Sequence, residues 1–595
     1  MARRKPRDLR ESLPGFRRLF HYVRPHLPRE RGMLVLGSVA LLSEVGWRLL
    51  EPWPLKFVID ALVTSSGGRI AAKQPENVTV LLLAASAGLL VITLLRAGSS
   101  YVGTLAFSLS GSRLLSAVRA DLFAHLQRLP MAYHDRARTG DLVTRVTSDV
   151  GRLKEVVVTA ALPLVCNVLT LVSMIGVVTW LDWRLGLVML LVFPAFFVTS
   201  TRLGRRINSV SRLQRHAEGS LASHATESLA AMRVVKSYSL EQTMQETFTV
   251  SNQKSLKDGV KAKRLSAGLE RKTDVLVGIA TSVVLFAGAQ RVLAGAMTPG
   301  ELVVFLTYLK AAFKPLRDVA KYVGRIAQAA ASSERIVDVL EEVPTVVDTE
   351  GAMPAPRLSG DIELRNVWLE HTPGHPALRG VDLKIPAGQR IAVVGPSGAG
   401  KSSLAMLLSR LCDPVRGQVY LDGIDLRNLT VRSVRDQTAV VLQESVLFAT
   451  TVAENIGYGT TDPTPDQVRA AAVLAGADGF ISRLPEGYDT VVGERGATLS
   501  GGERQRIAIA RAAMRRAPIV VLDEAMTGLD PRTETEVHAA LHRLTEGCTT
   551  VVISHEPAAA LACDRAVWIE DGRIVDDGHP RMVLARRVGG THAAG

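Results

Sequence analysis

Residues 390–411 read RIAVVGPSGAGKSSLAMLLSRL, a stretch that predicts a strand, a glycine-rich loop and a helix. The loop carries three glycines, Gly395, Gly398 and Gly400. These glycines allow backbone N–H groups to approach phosphate oxygens, and the helix that follows adds the positive end of its dipole. Lys401 can neutralise phosphate charge, and Ser402 can offer a hydroxyl to Mg²⁺. The stretch therefore predicts a nucleotide phosphate site within an α/β domain.

A second motif, IVVLDE at 519–524, is a short apolar run that ends in two acids. Such a run is typical of a buried central strand. Asp523 would emerge at the strand end, where it can hold Mg²⁺ through water, and Glu524 can polarise an attacking water. The alternative interpretation is a strand that simply ends in two solvated acids. The phosphate loop upstream favours a nucleotide site instead.

Two further polar residues follow apolar runs. His555 comes after TTVVIS at 549–554, where it could contact a γ-phosphate. Gln443 comes after TAVVL at 438–442 and could reach the metal or the water. Each is weak by itself, and each gains meaning only beside the first two motifs.

Length and charge limit the class of protein. The 595 residues predict two to four domains. The formal net charge is +14, and the first 31 residues carry ten Lys/Arg against three Asp/Glu. This basic segment precedes an apolar run, which is typical of a cytoplasmic flank of a membrane span. No basic patch interleaved with aromatics is present, so nucleic-acid binding is disfavoured.

The first half of the chain contains runs long and apolar enough to cross a bilayer. Six spans are predicted, at 33–60, 78–95, 156–181, 185–201, 275–290 and 300–320. Buried helices of a large soluble protein are the alternative, and the number of uncharged runs disfavours it.

The first and last predicted spans differ from the others because they carry charges at helical spacing. The charged residues are Glu44, Arg48, Glu51, Lys310, Lys314 and Arg317. Charges within a span normally face the bundle interior or a wet cavity. Glu44, Arg48, Glu51, Lys310 and Lys314 could line a transport pathway, or acids and bases could pair and only hold the bundle.

The connections between spans alternate in length. Residues 182–184 and 291–299 form short turns, whereas 112–154 and 202–266 are long, polar and helical in pattern. The basic residues of 112–154 place the long connections and both termini in the cytoplasm. Long helical loops of this kind suit docking against a soluble domain.

The stretch LSGGERQR at 499–506 carries a resemblance that covers nearly the whole chain. With the motifs above, the chain resembles an ABC transporter half-molecule of the exporter-type (type IV) fold. The resemblance implies a multidomain protein with a six-helix all-α transmembrane domain followed by an α/β P-loop ATPase domain. We expect a basic N-terminal segment at 1–32, a transmembrane domain at 33–325, a linker at 326–360 and the nucleotide-binding domain at 361–595.

The resemblance also implies roles for individual residues, with ATP and Mg²⁺ as cofactors. The phosphate-loop residues are Gly395, Pro396, Ser397, Gly398, Ala399, Gly400, Lys401, Ser402 and Ser403. Glu524, His555 and Gln443 take the places of the catalytic glutamate, switch histidine and Q-loop glutamine. Ser402, Gln443 and Asp523 take the places of the residues around the metal.

In the family two such domains dimerise head to tail, with ATP between the phosphate loop of one and the signature of the other. Ser500, Gly501, Gly502 and Asp530 would therefore act at the interface with a second half-transporter. The sequence leaves open whether that partner is identical or different. VGERG at 492–496, together with 138–150 and 227–241, resembles the segments that couple the two domains.

Two positions depart from the family pattern. His371 stands where a tyrosine usually stacks on adenine, and an imidazole offers a smaller face. TGLD at 527–530 replaces the usual SALD, and Gly528 there can loosen the turn. Neither change removes the catalytic acid.

The resemblance implies an ATP-hydrolysing membrane transporter that exports or flips a small molecule, lipid or drug-like amphipathic compound by alternating access. An importer with the same fold, such as a metal-chelate importer, is an alternative. A protein that ATP gates rather than drives is a further alternative, and the intact motifs disfavour it. The transported substrate cannot be deduced from the sequence.

Overall fold

The computed structural model describes residues 17–65, 76–156, 160, 162–372, 374–493, 496, 498–526 and 531–587. The chain divides into two compact units. A helical unit comprises Met1–Ala124 and Gly140–Glu341, and a nucleotide unit comprises His125–Thr139 and Glu342–Gly595.

Helices of very different lengths make up the helical unit. They are α1 (Leu27–Leu50), α2 (Trp53–Ser65), α3 (Glu76–Arg128), α5 (Thr139–Thr144), α6 (Val150–Val156), α7 (Leu162–Leu181), α8 (Trp183–Ala230), α9 (Met232–Ser237), α10 (Glu241–Leu293) and α11 (Pro299–Leu340). The short helix α4 (Met131–Arg136) lies in the segment that clusters with the nucleotide unit.

In the described residues each of the six predicted spans is helical, apart from a break at 51–52 in the first. Among the residues that the structure describes, four helical stretches are long and apolar enough to cross a membrane: Arg17–Val63, which includes α1, Thr79–Arg128, Leu162–Leu181 and Glu241–Leu293. Helices α8 and α11 cover the fourth and sixth predicted spans without being among these four. The predicted all-α architecture is confirmed.

Capping residues fix the short turns between spans. Asp182 accepts hydrogen bonds from the N–H groups of Arg184 and Leu185, and so begins α8. Thr298 and Glu301 form a capping box that begins α11. Because these caps satisfy otherwise unpaired N–H groups, the chain reverses within a few residues.

Prolines interrupt the first span. Pro52 and Pro54 lack an N–H group, and the chain breaks between α1 and α2. The carbonyl of Leu49 accepts a hydrogen bond from the hydroxyl of Tyr308 on α11, whose oxygen in turn accepts the indole N–H of Trp53 at 3.1 Å. The break is therefore held against the last span by side-chain hydrogen bonds.

The helical core lies where α7, α8, α10 and α11 meet. Its fully buried side chains include Val178, Val284, Phe305, Leu309 and Phe313. Helix α11 continues to Leu340, so it runs into the segment 326–360 that the sequence predicted as a linker. The alanine-rich stretch at 327–331 favours this continuation, because alanine has the highest helix propensity.

Two sheets build the nucleotide unit. The strands are β1 (Ile362–Thr372), β2 (His375–Ile385), β3 (Arg390–Val394), β4 (Arg416–Leu421), β5 (Ile424–Asp425), β6 (Thr438–Val441), β7 (Ile519–Asp523), β8 (Thr549–Ile553), β9 (Arg565–Glu570) and β10 (Arg573–Gly578). The four-stranded sheet has the order β2-β1-β4-β5 and is antiparallel.

The six-stranded sheet has the order β10-β9-β3-β8-β7-β6. Strands β9, β3, β8, β7 and β6 are parallel, and β10 is an antiparallel edge strand. Because parallel strands share one carboxyl edge, the residues that follow β3, β8, β7 and β6 meet along it. The predicted α/β domain is confirmed.

Helices accompany both sheets. They are α12 (Lys401–Leu408), α13 (Val431–Asp436), α14 (Val452–Gly457), α15 (Pro465–Leu474), α16 (Asp478–Ile481), α17 (Gly501–Met514), α18 (Pro531–Thr545), α19 (Pro557–Leu561) and α20 (Pro580–Arg587). Separate apolar clusters form around Leu522 and around Val521, whose side chains point to opposite faces of β7. Strand β7, which lies between β8 and β6, is therefore buried on both faces, as its uninterrupted apolar sequence predicted.

The segment His125–Thr139 belongs to the nucleotide unit although it lies within the predicted membrane half. The ring Nε2 of His125 lies 3.0 Å from the carbonyl oxygen of Glu342. The predicted loop resemblance at 138–150 overlaps this segment only at residues 138 and 139.

Candidate nucleotide-binding site

The phosphate loop joins β3 to α12. Gly395 has φ 149°, and a Cβ there would come within 2.1 Å of the carbonyl oxygen of Ile569. Gly400 has φ 107° at the N-cap of α12, where a Cβ would come within 2.5 Å of the Ala377 carbonyl oxygen. These two positions accept only glycine, because a side chain at either would clash with the backbone of Ile569 or Ala377.

Lys401 lies folded over this loop. Its Nζ donates hydrogen bonds to the carbonyl oxygens of Gly395 and Pro396, each at 2.8 Å. Burial lowers the pKa of Lys401, and the carboxylates of Glu524 and Asp523 partly offset that effect. The ammonium can exchange these carbonyl contacts for phosphate oxygens, because both are oxygen acceptors within its reach.

The remaining loop residues divide by exposure. Pro396, Ser397, Gly398 and Ser402 are exposed, whereas Ala399 and Ser403 are buried. The exposed hydroxyl of Ser402 stands on the first turn of α12, where an anion and its metal would sit. Ser403 has its hydroxyl engaged on the inner side of the helix.

The acids predicted from IVVLDE lie at the carboxyl end of β7. Burial, and secondarily the neighbouring Glu524 carboxylate, raise the pKa of Asp523, while Lys401 opposes them. Glu524 has the left-handed φ of 49°, and its N–H donates to the carbonyl oxygen of Ile553 at 3.0 Å. This backbone turn directs the Glu524 side chain away from the strand.

Strand order brings His555 and Gln443 to the same edge. The Nδ1 atom of His555 lies 3.5 Å from Oε1 of Glu524, because β8 is the neighbour of β7. Gln443 follows β6 on the other side of β7 and is exposed. Residues that are distant in sequence are thus gathered around one open edge.

His371 stands at the end of β1 beside the phosphate-loop helix. Its Nε2 lies 2.8 Å from Oγ of Ser403, within hydrogen-bonding distance. The half-buried ring is therefore held near the loop. The sequence placed His371 at the adenine position but did not indicate this contact with Ser403.

The signature stretch begins a helix. Ser500 is the N-cap of α17 and forms a capping box with Glu503, whose Oε2 also accepts the Ser500 hydroxyl at 2.9 Å. Ser500 and Gly501 are exposed, and Gly502 is buried. The spacing S-x-x-E could have predicted this cap. The first turn of α17 therefore places an exposed serine and an exposed glycine at a helix N-terminus, where the helix dipole favours an anion.

Sequence reasoning missed one buried residue that joins these motifs. Gln505 on α17 is 5% exposed, accepts a hydrogen bond from Ser445 and donates one to the carbonyl oxygen of Ala525. Its only sequence signal is a polar residue on the apolar face of an amphipathic helix. Asp530 and residues 527–529 lie outside the described residues, as do Glu494 and Arg495 of the 492–496 stretch.

The charged residues of the spans are the second set of candidates that the sequence indicated. Glu51 pairs with Arg96 on α3, which agrees with pairing rather than with a pathway role for this acid. Glu44 and Arg48 are half-buried, and Lys310 is exposed. The side chain of Lys314 lies outside the described residues. These positions leave the two sequence hypotheses open for Lys310.

Comparisons with known proteins agree with this architecture. The family model for the ABC transporter transmembrane region matches residues 34–316, and the model described as ABC transporter matches residues 378–527. A curated relative, the ATP-dependent lipid A-core flippase of Syntrophus aciditrophicus (strain SB), is 34% identical over 98% of this chain and 95% of its own length.

Two further proteins are similar. The putative multidrug export ATP-binding/permease protein YgaD of Bacillus subtilis (strain 168) is 30% identical over 94% of this chain and 96% of its own length. A solved structure of a bacterial Atm1-family ABC exporter with ATP bound has a TM-score of 0.76 and 27% identity, and covers 96% of this chain and 99% of that one. The chain belongs to the ABC transporter family, as a fused transmembrane and ATPase chain of the exporter-type fold that couples ATP hydrolysis to transport.

Proposed function

We propose that this chain is one half of a dimeric exporter in the cell membrane, with its termini and ATPase domain in the cytoplasm. It moves an amphipathic small molecule or lipid outward by alternating access. The observation that carries the proposal is the gathering of the phosphate loop, Asp523, Glu524 and His555 at one sheet edge, in a chain that also carries membrane-length helices. The flippase and export relatives support the direction.

The phosphate loop binds the nucleotide. Lys401 exchanges its carbonyl contacts for β- and γ-phosphate oxygens, and the first turn of α12 supplies N–H donors. Ser402 and Asp523 are hard oxygen donors near those phosphates, which suits Mg²⁺. The described residues contain no group of three or more His, Cys, Asp or Glu that could hold a metal. Bound Mg²⁺ would neutralise phosphate charge.

Glu524 acts as the general base that orients and activates the attacking water. The 3.5 Å separation between its Oε1 and Nδ1 of His555 lets the imidazole steady the carboxylate or meet the γ-phosphate. Gln443 shares this edge and is free to approach the water or the metal. Their common position at the carboxyl ends of β6, β7 and β8 supports a joint role.

A second half-transporter completes each site. The exposed N-terminus of α17, with Ser500, Gly501 and Gly502, suits the γ-phosphate of the partner's nucleotide. We assign Asp530 to the same interface from the resemblance alone. All hydrolytic motifs are intact, so two identical copies can form two competent sites.

Closure of the paired ATPase domains then acts on the helical unit. The clustering of His125–Thr139 with the nucleotide unit supports a coupling role for the first long cytoplasmic loop. The helix α3 that enters this segment is continuous from Glu76 to Arg128, so a movement at its cytoplasmic end can reach the membrane.

Transport into sealed vesicles tests the proposal. Inside-out vesicles that contain the chain should accumulate a fluorescent amphiphile when ATP is added outside, and Glu524→Gln should abolish this while binding ATP normally. The loss of turnover should be about 10²–10⁴-fold, as for removal of a general base. Glu556→Gln, on a nearby acid outside the site, is the matched control. Accumulation only in right-side-out vesicles with internal ATP would indicate import, and wild-type turnover in Glu524→Gln would refute the assignment of the base.

A further inference from the structure

Both ends of the Gln505 amide are engaged inside the nucleotide unit. Its Nε2 donates to the carbonyl oxygen of Ala525 at 2.7 Å, and its Oε1 accepts the hydroxyl of Ser445. The Ala525 carbonyl can only accept, so the amide must present its NH₂ group on that side. Because Gln505 is only 5% exposed, loss of either bond would leave a polar atom without a partner in a largely buried place.

The partners of Gln505 belong to other motifs. Ala525 directly follows Glu524, and Ser445 lies two residues after Gln443. Gln505 itself stands on α17, five residues after the N-cap Ser500, or about 7.5 Å along the helix. One side chain thus connects the signature helix, the catalytic acid and the glutamine segment within a single subunit.

The backbone at Glu524 needs such support. Its φ of 49° is left-handed, a region that side chains with a Cβ rarely adopt. The hydrogen bond from the Glu524 N–H to Ile553 holds one side of this turn. The hydrogen bond from Gln505 to the next carbonyl holds the other side, so the direction of the Glu524 side chain depends on both.

We propose that Gln505 is a positioning residue for hydrolysis, which ties the orientation of Glu524 to the position of its own signature helix. The inference rests on the proposed dimeric ATPase. In that dimer Ser500 faces the partner's nucleotide, whereas Glu524 acts on the nucleotide of its own phosphate loop. A shift of α17 on contact with one nucleotide therefore reaches the base that cleaves the other, which makes the two sites cooperative.

Substitution of the amide separates this role from binding. Gln505→Glu keeps the shape but replaces the donor that faces Ala525, and Gln505→Met removes both hydrogen bonds without burying a charge. We expect kcat for ATP to fall at least about tenfold, with KM changed less than about threefold and a Hill coefficient near 1. Ser445→Ala leaves the Ala525 contact in place and should lower kcat less. Unchanged kcat and Hill coefficient in a folded Gln505→Met would overturn the proposal.

Mixed dimers decide where Gln505 acts. Two full-length chains with different affinity tags are co-purified, and one carries Glu524→Gln, so only one base remains. Single-turnover hydrolysis should slow at least about fivefold when Gln505→Met is in the subunit with intact Glu524, and stay within about twofold when it is in the other subunit. The reverse pattern, or equal loss in both placements, would overturn the proposal. No hydrolysis by unmutated dimers would instead overturn the proposed function, and this inference with it.

Discussion

Replacement of Arg335 by leucine should destabilise the helical unit, because Arg335 neutralises a fully buried acid. Asp149, which ends the π-helical turn Arg145–Asp149, is 0% exposed. Arg335 on α11 contacts both of its carboxylate oxygens, at 2.7 Å from Nε and 2.5 Å from Nη2, and Ser332 donates to it at 3.0 Å. The hydrogen bond to Asp149 also raises the pKa of Arg335.

The expected loss in the free energy of unfolding follows from the distance between the two charges and from the exposure of Arg335. Two unit charges about 4 Å apart attract by about 4 kcal/mol at an effective dielectric constant of about 20. The Arg335 side chain is 39% exposed, so solvent screening reduces this to about 2–3 kcal/mol. Arg335→Leu leaves the Asp149 carboxylate buried with only Ser332 and a distant arginine, which should cost about that amount.

Arg152 provides a matched control on the same acid. It lies 3.7 Å from Oδ1 of Asp149 and its side chain is 48% exposed, so Arg152→Leu should cost less than about 1 kcal/mol. Adding Asp149→Asn to Arg335→Leu should recover at least about 1 kcal/mol, because the uncompensated charge is removed.

The assay is unfolding of detergent-solubilised protein, followed by pulse proteolysis across a urea series. Wild type and the three variants are compared by the urea midpoint at constant detergent and ATP. Equal losses for Arg335→Leu and Arg152→Leu would refute the reasoning, as would a further loss in the Asp149→Asn double variant. Either result would mean that Arg335 does not offset the cost of burying the Asp149 carboxylate.

Three further outcomes are expected. His371→Ala should weaken ATP binding by about five- to tenfold if the ring stacks on the base, and His371→Tyr should restore it, which fluorescent ATP titration would measure. Burial works to raise the pKa of Asp422, but hydrogen bonds from Ser359, Asp361 and Gly360 outweigh it and hold the pKa below its usual value. The ionised carboxylate therefore stabilises the fold by about 1 kcal/mol above pH about 4, and this stabilisation is lost as the pH falls through the lowered pKa. The urea midpoints of wild type and Asp422→Asn should accordingly converge at low pH. Lys310→Ala should change substrate-stimulated but not basal ATPase if Lys310 lines the pathway, and an unchanged stimulation curve would exclude that role.

Motif order was sufficient to predict the family, the two fold classes and the edge at which the site forms. Gly395, Lys401 and Asp523 carry their chemistry in residue type and spacing, so local sequence was informative. The contact of His371 with Ser403 and the grouping of His125–Thr139 with the nucleotide unit could not be predicted from the sequence, because each depends on packing between segments far apart in the chain.

By itself the sequence determined that the protein uses a nucleotide and crosses a membrane, since phosphate loops and apolar spans are local patterns governed by backbone geometry and hydrophobicity. Only the tertiary structure decided which side chains support Glu524. Its left-handed backbone is held from β8 by Ile553 and from α17 by Gln505, and strand order, which no local pattern encodes, brings those residues together.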